Sequence, residues 1–91
     1  MVISVYCIIV YDVSNNKVSK LCNFLRTYLN WVQNSVFEGE IDDVSLIKIK
    51  NFMNENLDKN IDSVIVYQID SRYKINREII GKEKEPINQI I

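Results

Sequence analysis

A single carboxylate closing an apolar strand, and a short acidic run further along, are the residues here with chemistry open to them. Asp12 ends "VISVYCIIVYD", where the apolar run gives way to the polar turn "VSNN". Sheets of α/β proteins present ligands at the carboxyl ends of their strands. A carboxylate in that place is a hard oxygen donor suited to Mg2+ or Mn2+. The same residue also reads as a turn-forming Asp ahead of a helix. One carboxylate makes a poor metal site, but across a two-fold axis Asp12 and its copy would supply two. An ion held between them could polarise a phosphodiester and acidify a water, supplying a nucleophile without histidine.

That last point matters because the chain has no histidine, which excludes His-based triads, His metal sites and His proton shuttles. Cys7 and Cys22 lack a base partner and a second ligand pair. They read as small apolar residues in a reduced compartment. Gly39 and Gly81 cannot build a phosphate-cradling loop. The acidic run "EGEIDD" holds Glu38, Glu40, Asp42 and Asp43. Glu38 and Glu40 share a face if this is a strand, which fits either a second metal site or a solvated strand edge. Basic residues fall in two groups: Lys17, Lys20 and Arg26, then Arg72, Lys74, Arg77, Lys82 and Lys84. Doubled by a dyad, such groups could form stripes for a nucleic-acid backbone.

The elements that must position these groups follow from patterning. Ninety-one residues suit one domain, and 47% apolar with 25% charged residues marks a globular chain. A net charge of −1 argues against a domain that coats itself in nucleic acid alone. The apolar run Val5 to Tyr11 falls far short of the ~18 residues that cross a bilayer, so a cytoplasmic protein without membrane contact is expected. The first segment reads as a central strand. Capped by Asn15 or Asn16, residues 17–30 place Val18, Leu21, Cys22, Leu25, Tyr28 and Leu29 on one helical stripe. Residues 31–41 form a strand bent or divided near Asn34 and Ser35. Asp42 caps a second helix with the stripe Leu46, Ile49, Met53 and Leu57, thickened by Ile47 and Phe52. "IDSVIVYQI" is another strand, 74–80 a weaker one, and "PINQII" a last strand after a charged linker.

Right-handed crossovers place both helices on one face of the sheet, giving a ferredoxin-like α/β sandwich, βαββαβ, with an additional C-terminal strand. Residues 1–81 form the domain, and 82–91 the linker and C-terminal strand. The other face keeps Tyr6, Ile8 and Val10 with Ile65, Tyr67 and Ile69, an apolar surface too large for a monomer to expose. A homodimer packed sheet to sheet is the simplest cover.

The stretches "VYDVSNNKVSKLCNFLRTYLNWVQNSVFEGEI", "DSVIVYQI", "REIIG" and "INQII" together resemble CRISPR-associated protein two. The resemblance covers nearly the whole chain, and "VQNSVFEGEI" at this distance from a strand ending in Tyr-Asp is its specific mark. It implies the same sandwich, a homodimer, and Asp12 as a ligand for Mg2+ or Mn2+ near the dyad. Tyr11, Ser35 and Phe37 match positions beside that acid and are expected to shape the site or the interface. Metal-dependent cleavage of RNA or DNA is attributed to several members. The dimer is also implied to bridge integrase dimers of CRISPR-associated protein one and hold protospacer DNA. The C-terminal strand is implied to pair with the partner subunit. Lys17 and Trp31 stand where many members carry arginines, which removes a bidentate phosphate contact. A scaffold without catalysis and a toxin-like small ribonuclease are the alternatives.

Overall fold

A computed structural model describes residues 4–84. In chain order they form β1 (Ser4–Asp12), α1 (Asn15–Leu25), β2 (Asn30–Gln33), β3 (Val36–Asp42), α2 (Asp43–Asn56) and β4 (Ser63–Asp70). The sheet order is β2-β3-β1-β4, with every neighbouring pair antiparallel. This is the ferredoxin-like α/β sandwich. The expected C-terminal strand, 86–91, lies outside the described residues.

Strand alternation decides which side chains the helices cover. Cys7, Ile9 and Tyr11 of β1 are buried beneath them with Phe37 and Ile41 of β3. Leu21 and Leu25 of α1 and Leu46, Ile49 and Met53 of α2 complete this core. Full burial of Ile9, Leu21, Leu25, Phe37 or Ile49 is worth about 1.5–3 kcal/mol each. The helices meet through Phe24 and Phe52, whose rings stack at 3.9 Å.

Helix α1 ends at Leu25, five residues before the expected limit of 30. Tyr28 and Leu29 continue the apolar stripe, yet the Thr27 and Tyr28 amides reach back only three residues, to the carbonyls of Phe24 and Leu25. That tighter turn swings the chain into β2 while Leu29 still reaches the core. Gly39 makes this approach feasible, because a Cβ there would stand 3.3 Å from Leu29 Cδ2. Ser14, rather than Asn15 or Asn16, occupies the cap position of α1, and its side chain makes no capping bond.

The kinked strand divides at Asn34 and Ser35. Asn34 has φ +37°, a left-handed conformation that Asn tolerates better than most residues. Asp42 caps α2 as its sequence position suggests, accepting from the Ser45 amide at 2.8 Å. Ile47 does not thicken the buried stripe: it is 57% exposed on the outer side of α2.

The face without helices carries Tyr6, Ile8 and Val10 half-buried, and Ile65 and Tyr67 about half exposed at 49% and 51%. Residues 74–80 form no strand. The chain leaves β4 on one side of β1, yet Arg77 reaches Glu38 of β3 on the other side. A segment that crosses a sheet face cannot ladder with its edge.

Candidate functional site

Asp12 is the last residue of β1, opposite Ser63 of β4, and is exposed. By alternation its side chain belongs to the face of Tyr6, Ile8 and Val10, the one no helix covers. Its carboxylate makes no hydrogen bond or ion pair with another described residue. Among the described residues no three His, Cys, Asp or Glu side chains converge as a metal centre.

Just beyond Asp12 the backbone is clamped. The Ser14 amide and hydroxyl both donate to Asp62 Oδ1, at 2.9 and 2.7 Å. Lys17 Nζ and the Asp58 amide donate to Asp62 Oδ2, at 2.6 and 2.8 Å. The Asp62 side chain is fully buried by these donors. The Lys17 ammonium first, then the Asp58 and Ser14 amides, hold its carboxyl well below the usual carboxylate range. In the sequence Asp62 reads only as an early residue of the strand "IDSVIVYQI"; β4 in fact begins at Ser63, one residue beyond it.

The cations expected to meet nucleic acid are therefore unequal. Lys17 is committed to Asp62. Lys20 is exposed, donates to Asn56 Oδ1 at 2.8 Å and lies 5.9 Å from the centre of the Phe52 ring. Arg26 is exposed and lies 5.8 Å from the centre of the Trp31 ring.

Tyr11, Ser35 and Phe37 stand differently with respect to Asp12. Tyr11 and Phe37 are core residues on the helix-covered face, their rings 6.1 Å apart, so they support β1 from beneath. Burial, and then its hydrogen bond with Cys22 Sγ, push the Tyr11 phenol up to about 12. Ser35 fixes the backbone, its carbonyl accepting from the Tyr11 amide at 3.0 Å. Cys7, pushed up to about 11 by burial, stays a thiol.

The acidic run does not act together. Its strand is interior, between β2 and β1, so the solvated-edge expectation fails at Glu38, which is 8% exposed and paired with Arg77. Tyr6 joins this pair: burial, then the Glu38 charge and hydrogen bond, push its phenol up to about 12. Glu40 instead accepts from Ser4 Oγ at 3.2 Å, and Asp42 is the helix cap.

Sandwich and strand-end acid together define a small ferredoxin-like protein with an exposed carboxylate on an open sheet face. The family model described as CRISPR associated protein Cas2 matches residues 5–77, and the chain belongs to that family. Among its relatives is a protein of Methanocaldococcus jannaschii named CRISPR-associated endoribonuclease Cas2, 50% identical over 97% of this chain and 77% of its own. A protein of the same name from Methanothermobacter thermautotrophicus is 43% identical over the full length of both. A crystal structure of cas2 superposes with TM-score 0.76 at 34% identity, covering 97% of this chain and 99% of that one. A hypothetical protein from Thermus thermophilus superposes with TM-score 0.77 at 26% identity, over 91% of this chain and 98% of that one. Described residues include no helix long and apolar enough to cross a membrane.

Proposed function

We propose that this chain acts as a homodimer in CRISPR adaptation, and that its two Asp12 carboxylates form a metal-dependent endonuclease site for RNA or DNA. The observation that carries the reading is Asp12 itself: exposed, without a hydrogen bond or ion pair to another described residue, and on the face whose half-exposed Ile65 and Tyr67 invite a second copy. An unpartnered carboxylate fits a hard divalent cation, and a dyad would double the donor count. Bound there, Mg2+ or Mn2+ would polarise a phosphodiester and make a water more acidic. The chain's own part is to hold the two acids at fixed strand ends and to offer Lys20 and Arg26 to the backbone of the nucleic acid. The name endoribonuclease carried by the relatives supports the hydrolytic half.

The test compares wild type with Asp12→Asn on single-stranded RNA and on duplex DNA, with Mg2+ and with chelator. Cleavage by wild type alone, abolished by chelator, is expected. Cleavage by Asp12→Asn at the wild-type rate overturns the enzymatic reading.

A second reading has its own support: one carboxylate per chain with no histidine is a thin catalytic set. In that reading the dimer is a scaffold, bridging integrase dimers of CRISPR-associated protein one and holding protospacer DNA. Integration of spacer DNA by a reconstituted complex carrying Asp12→Asn would favour it.

A further inference from the structure

The residues around Asp62 are more than a loop closure. A fully buried carboxylate accepts four hydrogen bonds, three of them from Ser14 and Lys17. Ser14 is two residues after Asp12. Asp62 immediately precedes Ser63, the residue opposite Asp12 across the sheet. The exit of β1 and the entry of β4 are thus tied to one point. Ser14 sits at the cap position of α1 but spends its hydroxyl on Asp62 rather than on its own helix. The sequence offers Lys17 as a phosphate contact, yet its ammonium is 2.6 Å from this buried acid and its side chain only 26% exposed.

We propose that Asp62 and Lys17 are positioning residues: they lock the exit of β1 through Ser14 and so hold the Asp12 carboxylate in the direction a divalent cation requires. This inference rests on the metal-binding reading of Asp12. Groups that orient a metal ligand without touching the metal commonly change affinity or activity ~10–100-fold when removed. Asp12 is the last laddered residue of β1, so the Ser14–Asp62 tie acts on the chain immediately beyond it and on the entry to its partner strand. Lys17 acts here through Asp62, and the nucleic acid is left to other cations.

The experiment uses the full chain with Lys17→Met, Lys17→Arg and Asp62→Asn. Mn2+ affinity is measured by electron paramagnetic resonance, and kcat and KM on single-stranded RNA. Lys17→Met is expected to weaken Mn2+ binding and lower kcat about tenfold, with KM and the salt dependence of RNA binding unchanged. Lys17→Arg, which keeps a cationic donor for Asp62, is expected to restore most of both. Asp62→Asn should behave as Lys17→Met does; if it does not fold, the Lys17 pair still decides. A Lys17→Met protein with wild-type Mn2+ affinity but raised KM and a shallower salt slope overturns the proposal and makes Lys17 a phosphate contact. Equal Mn2+ affinity and kinetics in all variants overturns the anchor alone. Wild type that neither binds Mn2+ nor cleaves overturns the Asp12 reading itself, and the anchor's role with it.

Discussion

Glu38 and Arg77, 39 positions apart, meet in an ion pair on the sheet face that no helix covers. The Glu38 side chain is 11% exposed and that of Arg77 30%. This is the tie that draws the segment after β4 across β1. Removing Arg77 leaves the buried Glu38 carboxylate with Tyr6 but without its cation, a change that costs ~1–3 kcal/mol. Arg77→Met is therefore expected to lower stability by about 1–2 kcal/mol in urea unfolding, discounted for the solvent that reaches Arg77. Adding Glu38→Gln should recover part of that loss. Strictly additive single and double mutants would show that the two side chains do not interact.

Phe37 belongs to the motif that marks the family resemblance, yet it is fully buried and packs against Tyr11. Phe37→Ala should cost ~3–5 kcal/mol. Any fall in cleavage should then be recovered at low temperature, in step with the folded fraction followed by circular dichroism. A stable Phe37→Ala protein without activity would place Phe37 at the site instead of in its support.

Asp62 sets an acid limit. Its folded carboxyl titrates below its ordinary value near 3.8, so the folded state binds fewer protons than the unfolded one as pH falls. The stabilisation is fully present above the unfolded value and is lost as pH drops through the folded one. Thermal denaturation of the wild type should steepen below about pH 4, and Asp62→Asn should flatten the dependence. Parallel curves would count against this role. At the alkaline end the sign reverses. Tyr6 and Tyr11, pushed up to about 12, stabilise below the ordinary value of 10.0 and lose that contribution as pH rises towards 12.

Self-association should depend on Ile65 and Tyr67. Both are about half exposed on β4, so a charge there has little to disturb within one chain. Ile65→Lys is expected to shift a micromolar sample towards monomer in sedimentation, with the fold retained by circular dichroism. An unchanged sedimentation coefficient would exclude this face as the contact.

The order of elements was legible because each carries its own local period. Leu46, Ile49 and Met53 could only be a helix stripe, and the apolar run of β1 marks a strand inside the sheet. Boundaries were less legible where a local pattern runs on past the element. Tyr28 and Leu29 extend the α1 stripe although the chain has already turned, and both packing routes bury Leu29. Asp12 could be singled out from its position, since an acid at the end of an apolar strand is a local sign. The partners of Asp62 could not. Ser14 and Lys17 lie 48 and 45 residues away, and nothing local distinguishes a buried acceptor of four hydrogen bonds from an ordinary turn Asp. Glu38 was misread for the same reason, as its depth depends on Arg77 and on β2 outside it.

The sheet order gives β1 a further consequence. Strand β1 lies inside the sheet, with β3 on one side and β4, the last strand and a sheet edge, on the other. A nascent chain halted before residue 62 already contains all of β1, both helices and the hairpin of β2 and β3. It still lacks Asp62 to grip Ser14 and Ser63 to stand opposite Asp12. Synthesis thus delivers Asp12 well before Ser63 and Asp62, so a chain ended between them would carry the acid without the two residues that stand at its strand end.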